Sequence, residues 1–137
     1  MEYNEKLKKL FRSISDLQIQ RVLYDEYNDI KFLQMHEKWK DIAIKMGSIL
    51  DFLTYDYFEQ NSIIIPNKSN PTFHDRLVFI RTQNLIGVPN DWFLADQILR
   101  DYRNFIHLQI MIKQNIKVDK ATIDILQPIF EKIILLF

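Results

Sequence analysis

Apolar residues recur at intervals of three and four along most of this chain, the spacing that gathers side chains on one face of a helix. Ile42, Met46, Ile49 and Leu53 form one such run and are expected to face a core. A first short helix is expected over about 2 to 12, with Ser13 or Ser15 placed to cap the next one. The stretch from 16 to 60 contains no proline and exceeds a typical globular helix. It should form two helices or one kinked helix, yielding near Gly47 and Ser48 or in the polar region around His36.

The segment NSIIIPNKSNPT, residues 61–72, breaks the periodicity with two prolines and several turn formers. It reads as a loop with a brief extended piece at 63–65, whose three isoleucines suit packing on a partner subunit. Thr72 can cap a helix through about Asn84, and Gly87, Pro89 and Asn90 separate it from a further apolar run read as one helix from about 91 to 114. After a connection at 115–118, Asp119 can cap a final amphipathic helix that Pro128 should kink or break. The expectation is an all-α fold, a compact bundle of about five helices in a single domain over 1–137.

Composition narrows the function classes. A chain of 137 residues can bury roughly two-thirds of the surface that it exposes when unfolded, enough for a core without staples. The absence of cysteine excludes disulfides and thiolate chemistry and fits a cytoplasmic location. Lys and Arg number 18 against 18 Asp and Glu, so attraction to a nucleic acid must be local. The N-terminal MEYNEKLKKL is charged from its second residue, unlike a signal peptide, and no apolar run is long enough for a membrane span. The three histidines lie far apart, HEKWK lacks the second histidine of a zinc motif, and no glycine-rich phosphate loop is present, so neither a metal nor a cofactor is expected. Aromatic residues at helical spacing are read as core rather than as a stacking platform for bases.

One stretch carries chemistry: RDYRNFIH, residues 100–107. On a continuous helix, Arg100, Arg103, Asn104 and His107 would form one polar stripe, opposite a face of Leu94, Ile98, Leu99, Tyr102, Phe105 and Ile106. Two guanidinium groups beside an imidazole seek an anion, for which a phosphate ester is the natural guest. The flanking cations would hold His107 neutral, below the ordinary value of about 6.5, and able to accept a proton. Against this stands a structural reading, in which Arg100 pairs with Asp101 or with a carboxylate on a neighbouring helix and His107 is a half-buried histidine. On the preceding helix, Ile44, Gly47, Ser48, Asp51 and Tyr55 share a face whose small residues admit a second helix. Asp51 would then meet Arg100 or Arg103, or else face solvent.

LRDYRNFIH, together with the upstream AIKMGSILDFL, resembles the HEPN superfamily of small all-helical proteins, the similarity running from about Tyr24 to the C-terminus. Its signature is an arginine followed by a polar residue, with a histidine one to two turns later. Two pairings fit: Arg100 with Asp101 and His107, the more usual spacing, or Arg103 with Asn104 and His107. Leu108 stands where many relatives have proline, and Asp51 occupies the place of an acidic residue that often follows a small-residue segment.

The resemblance implies a metal-independent endoribonuclease that cleaves RNA. His107 would help remove a proton from a ribose 2′-hydroxyl, Arg100 or Arg103 would stabilise charge at phosphorus, and Asn104 would hold the phosphate or orient an arginine, with Asp51 and Asp101 in support. It further implies a homodimer with a composite site across the two-fold axis, and a toxin or defence role under an antitoxin or regulatory protein. The tyrosine that antitoxins of some relatives modify just after the histidine has no counterpart among Leu108, Gln109 and Ile110. The other class the resemblance allows is a non-catalytic module, in which the Arg/His stripe binds nucleotide, engages a protein or braces the dimer.

Overall fold

The first described helix, α1 (Leu17–Met35), begins where Asp16 turns its carboxylate back onto the backbone N–H groups of Gln18 and Ile19, at 2.8 and 3.3 Å. Asp16, rather than Ser13 or Ser15, therefore satisfies the free donors of the first turn. The structure is a computed structural model that describes residues 10–137. Most of the expected first helix lies outside that range, and residues 10–12 form a bend and turn. The chain reverses at 36–38, where Glu37 takes a left-handed conformation (φ 55°), and α2 (Trp39–Gln60) follows. The proline-free stretch is thus two helices broken near His36, whereas Gly47 and Ser48 lie within unbroken helix.

α2 is the central element, packed against α1, α3 (Phe73–Thr82), α4 (Pro89–Leu99) and α6 (Lys120–Ile134). Ile42, Met46, Ile49 and Leu53 are all buried, as their spacing requires. Capping explains the later boundaries. Thr72 and Asp75 form a reciprocal capping box at the start of α3, with backbone-to-side-chain distances of 3.0 and 3.1 Å, and Asp119 does the same with Thr122 for α6. Pro89 opens α4 at a position where its missing N–H costs nothing. α6 runs through Pro128 without a break, its apolar side buried at Ile123, Leu126, Phe130 and Ile133.

Between α4 and α6 the expected single helix is not formed. α4 stops at Leu99, a 3₁₀ helix covers Tyr102–Ile106, and a six-residue α5 (Leu108–Lys113) follows. Leu99, Tyr102 and Phe105 are buried while Ile106 is largely exposed, and residues three apart align on a 3₁₀ helix. Burying that three-residue repeat favours the tighter winding over an α-helix, in which Ile106 would share the face of Leu99 and Tyr102. Among the described residues there is no strand, and the fold is an all-α bundle of six α-helices and the 3₁₀ helix.

Candidate functional site

The break in the helix redistributes the polar residues that an unbroken one would have aligned. Arg100, the last residue of its turn, reaches back one turn to Asp96 at 3.4 Å, an i,i+4 pairing within its own element. Asp96 is buried and also meets His74 Nδ1 from α3 at 2.7 Å. Arg100 therefore helps neutralise a buried carboxylate, and its partner is neither Asp101 nor a neighbouring helix. Asp101 and Asn104 act through their backbones: the Asp101 carbonyl accepts from Asn104 N–H at 2.8 Å and the Asn104 carbonyl from His107 N–H at 3.0 Å. His107 sits in extended backbone between the 3₁₀ helix and α5, with an exposed side chain.

Arg103 turns the other way, onto α2. Its Nη2 donates to Asp51 Oδ2 at 2.7 Å and its Nε to the Tyr102 hydroxyl at 3.3 Å, and that hydroxyl in turn donates to the same Asp51 oxygen at 2.7 Å. The other carboxylate oxygen of Asp51 accepts from Arg76 of α3. Arg76 is buried and uses four of its five N–H donors, donating also to Thr54 Oγ1 (3.1 Å) and to the carbonyls of Pro71 (3.3 Å) and Asp51 (3.2 Å). Two arginines thus share one carboxylate, with opposite exposures: the Arg76 side chain is 7% accessible and that of Arg103 77%.

This inequality sets the electrostatics. The buried pair of Asp51 and Arg76 cancels, as a buried charge must. Arg103 then contributes a net positive charge at the surface, its orientation fixed by two hydrogen bonds while three of its five N–H donors point elsewhere. The Tyr102 oxygen and Asp51 raise the affinity of the Arg103 guanidinium for its proton above the ordinary value. Burial pushes the Tyr102 phenol upward, and its hydrogen bond to Asp51 adds to this, so it remains a neutral donor.

Local packing explains why these groups meet. Gly47 and Asp51 are one turn apart on α2, and the ring of Tyr102 lies across Gly47 so closely that a Cβ there would stand 2.4 Å from Tyr102 Cγ. The absent side chain lets the ring in, and the carboxylate one turn on receives its hydroxyl. Phe73 closes the other side edge-on, at 5.8 Å between ring centroids. Arg103 and its support line an open cleft of about 830 Å³, together with Tyr55 and much of the 61–72 loop, Lys68 included. Ile64 in that loop is 79% exposed.

Of the residues singled out from the sequence, Arg103 and Asp51 come into contact, while Arg100 joins a separate cluster with His74. Asn104 bonds neither arginine through its side chain, and His107 is outside the lining of this cleft. Arg76, His74 and Asp96 were not foreseen, and Tyr102 was expected only as a core residue. Two had a local signal: Asp96 stands four before Arg100, and the Gly47-to-Asp51 spacing marks a gap beside a carboxylate. Arg76 and His74 act across helices and carried none. Among the described residues no three His, Cys, Asp or Glu side chains gather into a metal-binding group. No helix of the described residues is long and apolar enough to cross a membrane. Comparison with protein-family models, with curated proteins and with solved structures gives no match.

Proposed function

We propose that this chain is a metal-independent endoribonuclease of the HEPN type, acting on RNA as a homodimer. The observation that carries the reading is Arg103: a solvent-facing guanidinium held by a buried carboxylate and a buried phenol. Asp51 already has a buried partner in Arg76, so a second arginine is not needed to neutralise it. Arg103 is well suited to meeting a phosphodiester, on which forked donors stabilise charge developing at the non-bridging oxygens.

In this scheme His107 accepts the proton of the ribose 2′-hydroxyl, and the 2′ oxygen attacks phosphorus. The bond from phosphorus to the 5′ oxygen breaks, leaving a 2′,3′-cyclic phosphate. The departing oxygen takes a proton from His107 of the partner subunit, since one histidine cannot serve both ends of a single displacement. A toxin or defence role in the cytoplasm, restrained by an antitoxin or regulatory protein, belongs to the same reading.

A second reading is a non-catalytic module that uses Arg103 to bind RNA or nucleotide. The diversion of Arg100 to Asp96 and the exposure of the His107 side chain, which hydrogen-bonds no other described residue, favour it. The two separate in one assay, incubation of the protein with a mixed RNA pool in EDTA beside its His107→Ala and Arg103→Ala variants. The nuclease reading expects cyclic-phosphate ends from the parent and a loss of cleavage in both variants. An intact parent that binds the pool without cutting it supports the module.

A further inference from the structure

The cleft beside Arg103 has features that holding an arginine does not require. Tyr55 lies one turn beyond Asp51 on α2, about 6 Å along the helix axis, so Asp51 and Tyr55 share a stripe that lines the cleft. Tyr55 as a residue is 54% exposed, and the Arg76 guanidinium lies 5.8 Å from the centroid of its ring. Arg76 is itself locked by Asp51, Thr54 and Pro71, so the ring is backed by a fixed cation rather than by mobile solvent. Three cations, Lys68, Arg76 and Arg103, line the space against two carboxylates, Asp51 and Glu59. Lys68 is half-exposed and stands 3.7 Å from Asp75, a long contact that leaves its ammonium open to solvent.

A held aromatic face one helical turn from the carboxylate that orients Arg103, in the same cleft, matches a ligand with a flat ring linked to a phosphate. We propose that the cleft is a nucleotide subsite for single-stranded RNA, in which a base stacks on Tyr55 while the adjoining phosphate meets Arg103. Lys68 contacts the next phosphate along the strand. Stacking on an aromatic side chain tolerates every base, because each has a π face, so this subsite selects unpaired strands rather than a sequence. The proposal rests on the reading of Arg103 as a phosphate contact and is independent of whether cleavage follows. It gives Tyr55 a role that neither the motif nor the core requires.

The test measures binding rather than cleavage, by calorimetry on the full chain with two probes. One is a 2′-O-methyl tetranucleotide, which has bases but no free 2′ nucleophile; the other is tripolyphosphate, which has the charge without the bases. Tyr55→Ala should weaken the tetranucleotide roughly 5- to 150-fold, the range for losing one stacked base, and leave tripolyphosphate unchanged. Tyr55→Phe should restore the tetranucleotide, Tyr55→Leu should not, and Arg103→Ala should weaken both probes. Equal affinity of the parent and Tyr55→Ala for the tetranucleotide, or no binding of it by the parent, overturns the subsite. Stacking without RNA cleavage refutes the nuclease and leaves the subsite standing, while cleavage with an inert Tyr55 does the reverse.

Discussion

Replacing Gly47 by alanine tests whether the approach of Tyr102 to α2 is as tight as the geometry requires. In an exposed helix interior this change stabilises, since glycine there costs roughly 0.5–1 kcal/mol relative to alanine. Here the new Cβ would stand 2.4, 2.7 and 2.8 Å from Cγ, Cδ1 and Cβ of Tyr102, against 3.4–4 Å for ordinary contact. The ring would have to retreat by about 1 Å, which overpacking of this kind prices at about 1–3 kcal/mol. Its retreat also stretches the 2.7 Å bond to Asp51 beyond hydrogen-bonding range, and a hydrogen bond to a charged group contributes about 1.5–3 kcal/mol. Phe73 on the other side limits where the ring can go. Steric cost and the lost hydrogen bond together outweigh helix propensity, and Gly47→Ala should destabilise by about 2–5 kcal/mol in urea unfolding followed by circular dichroism. The same change in a Tyr102→Ala background should be neutral or stabilising, because the obstacle is gone. Stabilisation in the parent background, or equal effects in both, would refute the packing argument.

Asp51→Ala leaves Arg76 charged and buried without its partner and should cost about 3–5 kcal/mol, whereas Arg103→Ala, at an exposed pair, should cost no more than about 1 kcal/mol in the same unfolding experiment. Similar costs for the two would contradict the division of labour between the arginines. His74→Ala removes the close partner of buried Asp96 and should destabilise by about 1–3 kcal/mol, more than Arg100→Ala, whose longer bond is half-exposed. The reverse order of melting temperatures would show that Arg100 is the principal partner. Thr72→Ala should cost about 1 kcal/mol through loss of the α3 cap. In that cap the backbone N–H of Thr72 holds the Asp75 carboxyl below its ordinary 3.8. A depressed carboxylate contributes its full stabilisation above the unfolded value and loses it as pH falls through the folded one. The urea midpoint of the parent should therefore fall below about pH 4 by more than that of Asp75→Asn, and parallel acid limbs would remove Asp75 from the account.

Much of the bundle was legible because local rules set it. The four-residue apolar repeat of Ile42, Met46, Ile49 and Leu53 specifies a buried helical face whatever packs on it, and Thr72 and Asp119 satisfy nearby N–H groups without help from distant residues. The capping of α1 was misread by one to three residues, since several side chains before it can serve and only backbone geometry selects Asp16. The break at 100–101 was harder to read, because no glycine or proline marks it. It follows from burying Leu99, Tyr102 and Phe105 together against α2, which a local pattern suggests only through their three-residue spacing.

The candidate site divides along the same line. Sequence by itself determined an all-α fold, the loop at 61–72, and a short stretch in which arginine, asparagine and histidine are concentrated. It also determined that a carboxylate follows a glycine by one turn, so that Asp51 could receive a group from another helix. Tertiary structure alone decided which arginine arrives there. Arg103 reaches Asp51 because Tyr102, its neighbour, fills the space over Gly47, and Arg100 is drawn off by Asp96 and His74. Long-range pairing of charges depends on which buried carboxylates need neutralising once the helices have packed, and that demand exists only in the assembled core.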